Sequence, residues 1–303
     1  MGAVPSLGLV LPLIERPNGG GPVGFAEIVE MARSAEQLGF DTVWLADELV
    51  YRFGSGPLGW WECLTMTGAV AASTTTAQVG TWVIAARRRN PGVVAKAAET
   101  LDEISGGRFV LGVGAGSRAG TAEFGFADDR PIGRYEEFLH VLVPLLRGET
   151  VTYGGRFHRA EGAEVLPRGP RAGRVPLMLA AHGERTMRLA VEHADIWSGF
   201  ATEDSQPEAF ADVLALVDRT CEELGRDPDD LARSIGVLVE PGDRGSLEAL
   251  GLGVPISGST ARIADALGRF GDLGVTRVEV MPWPGEMASL EALAPAMEEL
   301  RSP

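Results

Sequence analysis

The sequence predicts a (β/α)8 barrel with insertions, formed by a single domain over residues 1–303. Eight strand-like segments alternate strictly with eight helical segments along the chain, and this alternation is typical of a parallel sheet covered by helices. The strand segments, among them LGLVL, FVLGV and PLMLA, are short and continuously apolar, as expected of strands buried on both faces. Eight such units in about 250–300 residues favour closure into a barrel.

The elements follow from apolar spacing and from the residues at their ends. Gly39 is a typical helix stop after the first helix, and Asn90 with Pro91 supplies a cap and a first helical residue. The predicted strands are Ser6–Pro12, Asp41–Ala46, Gln78–Ile84, Arg108–Val113, Val175–Ala180, Ala194–Ser198, Ser234–Val239 and Arg277–Met281. The predicted helices are Phe25–Leu38, Trp61–Ser73, Pro91–Ile104, Arg134–Leu146, Glu184–Glu192, Pro207–Leu224, Thr260–Leu273 and Leu290–Leu300.

An open, doubly wound sheet is the alternative fold. It would carry a glycine-rich fingerprint near the first strand, and residues 8–24 contain none. Gly116–Gly133 and Gly148–Pro170 are predicted to be insertions on the barrel, the second of them a small hairpin. The glycine-rich segment Glu240–Pro255 is predicted to be a mobile loop after the seventh strand.

Composition excludes several classes of function. A formal charge of −15 repels phosphate backbones, so we expect no nucleic-acid partner. Two cysteines without a CxxC motif indicate a reducing compartment. No apolar run reaches the roughly 18 residues of a membrane span, and no secretory signal precedes the first strand. We therefore expect a cytoplasmic protein that acts on a small molecule and not at a membrane.

In a barrel of this kind the functional residues follow the strands. Gly114, Ala115, Gly116 and Ser117 follow the fourth strand, where bare backbone N–H groups can bind phosphate. The alternative is a tight turn that needs glycine for its backbone angles. Ala181, His182, Gly183 and Glu184 follow the fifth strand and lead into a helix, and a helix N-terminus also favours anions.

Charged residues follow the second and third strands. Asp47 and Glu48 are either an acid/base pair or a solvated loop. The run Arg87–Arg89 is either a clamp for an anionic cofactor tail or a solvated basic face.

Aromatic side chains also stand near the strand ends. We predict that Trp44, Trp197 and Trp283 line an apolar pocket for a flat ring. The four histidines show no metal-ligand spacing, so no metal site is expected.

A set of segments spread over nearly the whole chain forms a familiar pattern, and its long central run is the most specific part. The segments are Leu9–Pro12, Trp44–Asp47, Val79–Pro91, Thr100–Gly116, Arg134–Glu137, Arg168–Pro170 and Val175–Trp197. In these segments the chain resembles the luciferase-like flavin-dependent oxidoreductases, particularly the group that uses the deazaflavin coenzyme F420.

The resemblance implies a homodimeric barrel with the cofactor ring over its mouth. It implies a cis peptide bond between Trp82 and Val83 that backs the ring, with Asp47 near the cofactor. It also implies that the cofactor phosphate lies at Gly114–Ser117 and Ala181–Glu184, in agreement with the two anion sites expected from the residues.

The chain departs from its family at two positions. Many F420 enzymes have Asp-His where this chain has Asp47 and Glu48, and the sugar-phosphate dehydrogenases have a glutamate where it has Ser117. These differences argue against glucose-6-phosphate oxidation and make Glu48 the candidate proton donor or acceptor. We expect F420-dependent hydride transfer to or from a small organic substrate. The alternatives are an FMN-dependent monooxygenase, a non-catalytic flavin-binding barrel, and a barrel acting on a phosphorylated metabolite without a redox cofactor.

Overall fold

The computed structural model describes residues 3–16, 20–53, 56–118, 121–200, 203–242 and 253–301. The strands are β1 Ser6–Val10, β2 Thr42–Leu45, β3 Val50–Phe53, β4 Gly56–Gly59, β5 Gln78–Thr81, β6 Ile84–Ala85, β7 Phe109–Gly114, β8 Val151–Gly154, β9 Arg159–Ala163, β10 Leu177–Ala180, β11 Ile196–Phe200, β12 Ala232–Pro241, β13 Ile256–Gly258 and β14 Arg277–Pro282. The helices are α1 Phe25–Gln37, α2 Cys63–Ser73, α3 Pro91–Ser105, α4 Pro131–Arg147, α5 Glu184–His193, α6 Ala211–Leu224, α7 Thr260–Asp272 and α8 Met287–Arg301.

The chain divides into two compact units. Unit 1 comprises Met1–Pro12, Val29–Trp44 and Ala181–Pro303, and unit 2 comprises Leu13–Ile28 and Leu45–Ala180. Within the described residues, no helix combines the length and the apolar character that a membrane crossing requires.

Unit 1 is built on parallel strands in the order β11, β12, β14, β1, β2. Their residues are almost continuously buried, which explains the apolar runs seen in the sequence. Strand β12 continues to Pro241 and pairs with β13, so the seventh strand is longer than predicted. Of the loop predicted at Glu240–Pro255, residues 243–252 lie outside the described part of the chain.

Unit 2 is organised around β7, which pairs in parallel with β5, β6 and β10. The predicted cap is confirmed, because the Asn90 side chain accepts hydrogen bonds from Gly92 N and Val93 N. The predicted hairpin in the insertion Gly148–Pro170 is also confirmed as antiparallel β8 and β9. Glu137 of α4 anchors this hairpin, since its carboxylate accepts three backbone N–H groups from residues 156–158.

Several predicted bounds were wrong for local reasons. Helix α2 begins at Cys63 and not at Trp61, because the Glu62 side chain caps it by accepting from two backbone N–H groups. Helix α4 begins three residues early, at Pro131, as proline in a first turn allows. The predicted strand Gln78–Ile84 is interrupted between β5 and β6, and the antiparallel hairpin of β3 and β4 was not predicted.

Candidate functional site

The third strand has an irregular segment at the position that the resemblance implies. The peptide bond between Trp82 and Val83 is cis, which confirms that expectation. Trp82 N donates to Leu45 O at the end of β2, at 2.8 Å. Both Trp82 and Val83 retain exposed surface, so other side chains do not cover this segment completely. It can therefore offer a face to a flat ring.

The glycines after the fourth strand have a packing role against this segment. A Cβ at Gly114 would lie 2.8 Å from Val83 Cγ2, and one at Gly116 would lie 2.8 Å from Ala85 Cβ. Gly116 also has φ +91°, a backbone conformation that residues with a Cβ atom rarely adopt. The predicted tight turn that needs glycine is therefore found at Gly116. At Gly114, glycine is needed because the Val83 side chain packs directly against it.

The backbone of the same loop has spare donors. Among the described residues, the N–H groups of Ala115, Gly116 and Ser117 donate to no backbone or side-chain acceptor. Such groups are normally paired or solvated, and a run of them suits an anionic oxygen. The loop therefore fits the phosphate of a cofactor tail.

The three arginines after the third strand form internal ion pairs. The Arg87 and Arg88 side chains are about 1% and 2% exposed. Arg87 pairs with Asp128 at 3.0 Å, while Arg88 pairs with Glu48 at 2.8 Å. The prediction of a solvated basic face was wrong. The proposed clamp for an anionic tail is also not available, because these guanidinium groups already hold carboxylates of the chain.

Asp47 has a structural role after the second strand. Its buried carboxylate accepts from Ala85 N at 3.0 Å through Oδ2 and from Arg89 Nη2 at 2.8 Å through Oδ1. Arg89 also reaches Glu62, at 2.9 Å. Both carboxylate oxygens thus hold the segment that follows the cis bond, while the contact of Asp47 with the cofactor stays a prediction.

Glu48 and Ser117 meet beside this segment. Ser117 Oγ donates to Glu48 Oε1 at 2.8 Å, and Arg88 Nη2 donates to Glu48 Oε2 at 2.8 Å and to Ser117 Oγ at 3.1 Å. The three side chains close a ring of hydrogen bonds. Ser117 is exposed and Glu48 partly so, so the predicted acid/base carboxylate is ion-paired yet reachable from the surface.

The second predicted anion site lies at the N-terminus of α5. His182, Gly183 and Glu184 are exposed, whereas Ala181 is buried. Ala181 N donates to Ser198 O at 3.2 Å, so its N–H group is already used. The exposed part of the site is therefore the helix start at residues 182–184, where the helix dipole favours anions. Strand β10, which leads to this point, pairs directly with β7.

Two of the three tryptophans predicted to line a pocket are completely buried. Trp44 and Trp197 have no exposed surface. Trp44 Nε1 donates to Glu279, while Trp197 Nε1 donates to Ala181 O at 3.0 Å. Their assignment to an open pocket is corrected, because both rings are part of the interior. Trp283 alone of the three is partly exposed.

Glu279 is a buried carboxylate that the sequence analysis missed. It accepts from Ser234 Oγ at 2.9 Å as well as from Trp44, and Arg277 Nε lies 3.4 Å away. Burial raises the pKa of Glu279 in spite of these partners. The available signal was a glutamate within the apolar strand VEV at positions 278–280.

No group of three or more possible metal ligands occurs among the residues that the structure describes. Within unit 2, the candidate site is made of the cis segment, the loop at 114–117 and the ring of Glu48, Ser117 and Arg88. The start of α5 is a separate candidate anion site in unit 1.

Comparisons with known proteins give the family and the fold. The chain is 30% identical to 5,10-methylenetetrahydromethanopterin reductase of Methanolobus tindarius over 205 residues, covering 68% of this chain and 58% of that protein. It is 35% identical to an F420-dependent glucose-6-phosphate dehydrogenase of Nakamurella multipartita over 216 residues, covering 69% and 61%. The matches thus span about three fifths of these relatives.

The fold is shown by a solved structure. The coenzyme F420-dependent tetrahydromethanopterin reductase from Methanopyrus kandleri superposes with a TM-score of 0.78 at 20% identity, over 98% of this chain and 99% of that chain. The predicted (β/α)8 barrel is thereby confirmed. The model of the luciferase-like monooxygenase family matches residues 7–246, and the chain therefore belongs to that family.

Proposed function

We propose that the protein is an F420-dependent oxidoreductase that transfers a hydride to or from a small organic substrate. The observation that carries this proposal is the partly exposed surface at Trp82 and Val83, packed directly against Gly114. The F420-dependent relatives support the choice of cofactor. When bound, the deazaflavin ring supplies the reversible uptake of a hydride, while the protein supplies orientation and electrostatics.

Two stretches of chain would hold the cofactor. The ring would lie against Trp82 and Val83, since these residues present the exposed face of the third strand. The phosphate would bind the backbone N–H groups of Ala115, Gly116 and Ser117, beside Gly114. The helix start at His182, Gly183 and Glu184, which follows the buried Ala181, is proposed as a second anion site. Asp47 would fix Ala85 near the cofactor, and Glu48 would exchange a proton with the substrate. Trp283, the one exposed member of the three tryptophans, would border the substrate.

A direct test is a fluorescence titration of the purified protein with F420 and with FMN. We expect F420 to bind at micromolar concentration, and Gly114→Ala to weaken binding by at least about tenfold, because the added methyl group would push Val83 out of place. The matched control is Gly154→Ala, whose Cβ would meet nothing within 4 Å. Tighter binding of FMN would favour the monooxygenase alternative, and binding of neither cofactor would refute the proposal.

Turnover separates the enzyme from its non-catalytic alternative. A flavin-binding barrel would bind F420 without oxidising or reducing any substrate. The Glu48 carboxylate supports catalysis, because it lies at a strand end, is partly exposed and can take part in proton transfer.

We also propose that the protein is a cytoplasmic homodimer, as its family resemblance implies. An open groove of about 440 Å³ between α2 and α3 supports the dimer, since its lining includes the exposed apolar side chains of Val93 and Ile104. Exposed apolar patches of this kind often mark protein contacts. Light scattering of the native protein and of Val93→Glu tests it, and a monomeric native protein would refute it.

A further inference from the structure

Three hydrogen bonds join the side chains of Glu48, Ser117 and Arg88 into a closed ring. A carboxylate that acts alone as an acid or base does not need two such fixed partners. Exposure falls along the ring, from the exposed Ser117 through Glu48, whose side chain is 21% exposed, to Arg88 at 2%. Ser117 is therefore the most exposed member of the ring, and Arg88 the most buried.

The direction of each hydrogen bond follows from the chemistry of the three groups. A guanidinium group only donates, and a carboxylate only accepts. Ser117 Oγ must therefore give its proton to Glu48 Oε1, 2.8 Å away, and accept from Arg88 Nη2, 3.1 Å away. A hydroxyl oxygen can accept twice, so one acceptor position of Ser117 is left for an outside donor.

We propose that Ser117 and Glu48 form a proton relay and that Arg88 is the residue that positions it. This inference rests on the proposed function. A substrate O–H or N–H group donates to Ser117 Oγ. As the substrate gives up a hydride, its proton passes to Ser117 Oγ while the Ser117 hydroxyl proton passes to Glu48 Oε1.

The step balances in atoms and charge. The substrate loses a hydride from carbon, with its electron pair, and a proton from oxygen or nitrogen, and a C=O or C=N bond forms. Bound F420 in its oxidised form would supply the hydride acceptor, and Glu48 becomes a neutral carboxylic acid. The reverse reaction runs from protonated Glu48 through Ser117 to the substrate.

Arg88 acts through the other two residues and does not touch the substrate. Its side chain is almost completely buried, and its single Nη2 atom reaches both Glu48 and Ser117. It thereby holds the carboxylate and the hydroxyl in one geometry.

A first test needs no cofactor. In Ser117→Cys the new thiol stands beside Glu48, while Cys63 and Cys221 are buried and contribute little to alkylation by iodoacetamide. Adding Glu48→Gln removes a negative charge at contact distance and stabilises the thiolate. We expect alkylation to become about fivefold to tenfold faster at neutral pH. Adding Glu223→Gln, which breaks an exposed ion pair with Arg188, is expected to change nothing. Equal rates in all three proteins would overturn the relay.

A second test uses oxidised F420 with a panel of small primary and secondary alcohols and amines, followed by the loss of F420 absorbance. Ser117→Ala and Glu48→Gln are expected to lower kcat about 100-fold with little change in KM. Ser117→Thr keeps the hydroxyl group and is expected to recover most of the rate. Full activity of Ser117→Ala, or no reaction with any panel member, would overturn the relay.

Cofactor binding in the same samples separates the two proposals. If the native protein does not bind F420, the proposed function fails whatever the cysteine rates are. If F420 binds and turnover is independent of the Ser117 hydroxyl group, only the relay fails.

Discussion

Asp47→Ala tests the claim that a buried carboxylate fixes the segment after the cis bond. The substitution leaves Ala85 N–H without its acceptor and leaves Arg89 with Glu62 as its remaining carboxylate. Breaking a buried ion pair costs about 3–5 kcal/mol, and an unsatisfied buried N–H group costs about 1–3 kcal/mol. The two terms overlap, and Arg89 keeps some access to water, so we expect a loss of about 3 kcal/mol in the free energy of unfolding.

Urea denaturation followed by circular dichroism measures this loss. The matched control is Arg52→Met, which breaks an exposed ion pair with Glu123 and should cost less than about 1 kcal/mol. Asp47→Asn keeps an oxygen for Ala85 N–H and should fall between the two. If Asp47→Ala were no less stable than Arg52→Met, the structural role assigned to Asp47 would be refuted.

Two further predictions concern the buried cluster around Glu279. Gly8→Ala should destabilise the protein by about 2 kcal/mol, because the new Cβ would lie 2.7 Å from Trp44 Cδ1. The control in the same urea experiment is Gly24→Ala, whose Cβ would meet nothing within 4 Å. Equal stability of the two variants would contradict the prediction. Burial raises the pKa of Glu279, so the unfolded chain ionises at a lower pH than the folded protein. Stability from this group should therefore be complete below the ordinary glutamate pKa of about 4.3 and decline as the pH rises through the folded value. The free energy of unfolding of Glu279→Gln, relative to that of the native protein, should accordingly rise with pH. If this difference stayed constant from pH 4 to pH 8, the burial of Glu279 would not make stability depend on pH.

The fold was predictable because its signals are local. Apolar strands alternating with amphipathic helices define the β/α order without any tertiary information. The Asn90 cap and the hairpin of β8 and β9 also follow from neighbouring residues. The hairpin of β3 and β4 gave no comparable signal, since its strands have four residues each and the second, GPLG, contains proline and two glycines.

The candidate site was only partly predictable, because its geometry depends on distant residues. Arg87–Arg89 looked like a solvated or ligand-binding run. Their partners Asp128, Glu48 and Asp47 lie about 40 positions away in sequence, and the pattern of charges along the chain does not reveal such pairs. Family resemblance located the cis bond correctly, whereas its place near a strand end wrongly put Trp44, which lies in the interior, at a pocket surface.

Hydrogen–deuterium exchange with and without F420 tests the central claim most directly, because it reports where the cofactor binds. We expect F420 to slow exchange at residues 82–85, 112–118 and 182–186, with FMN having a weaker effect. The hairpin at residues 151–163 should exchange equally in both samples. Slowed exchange confined to other parts of the chain, with these three segments unchanged, would contradict the account.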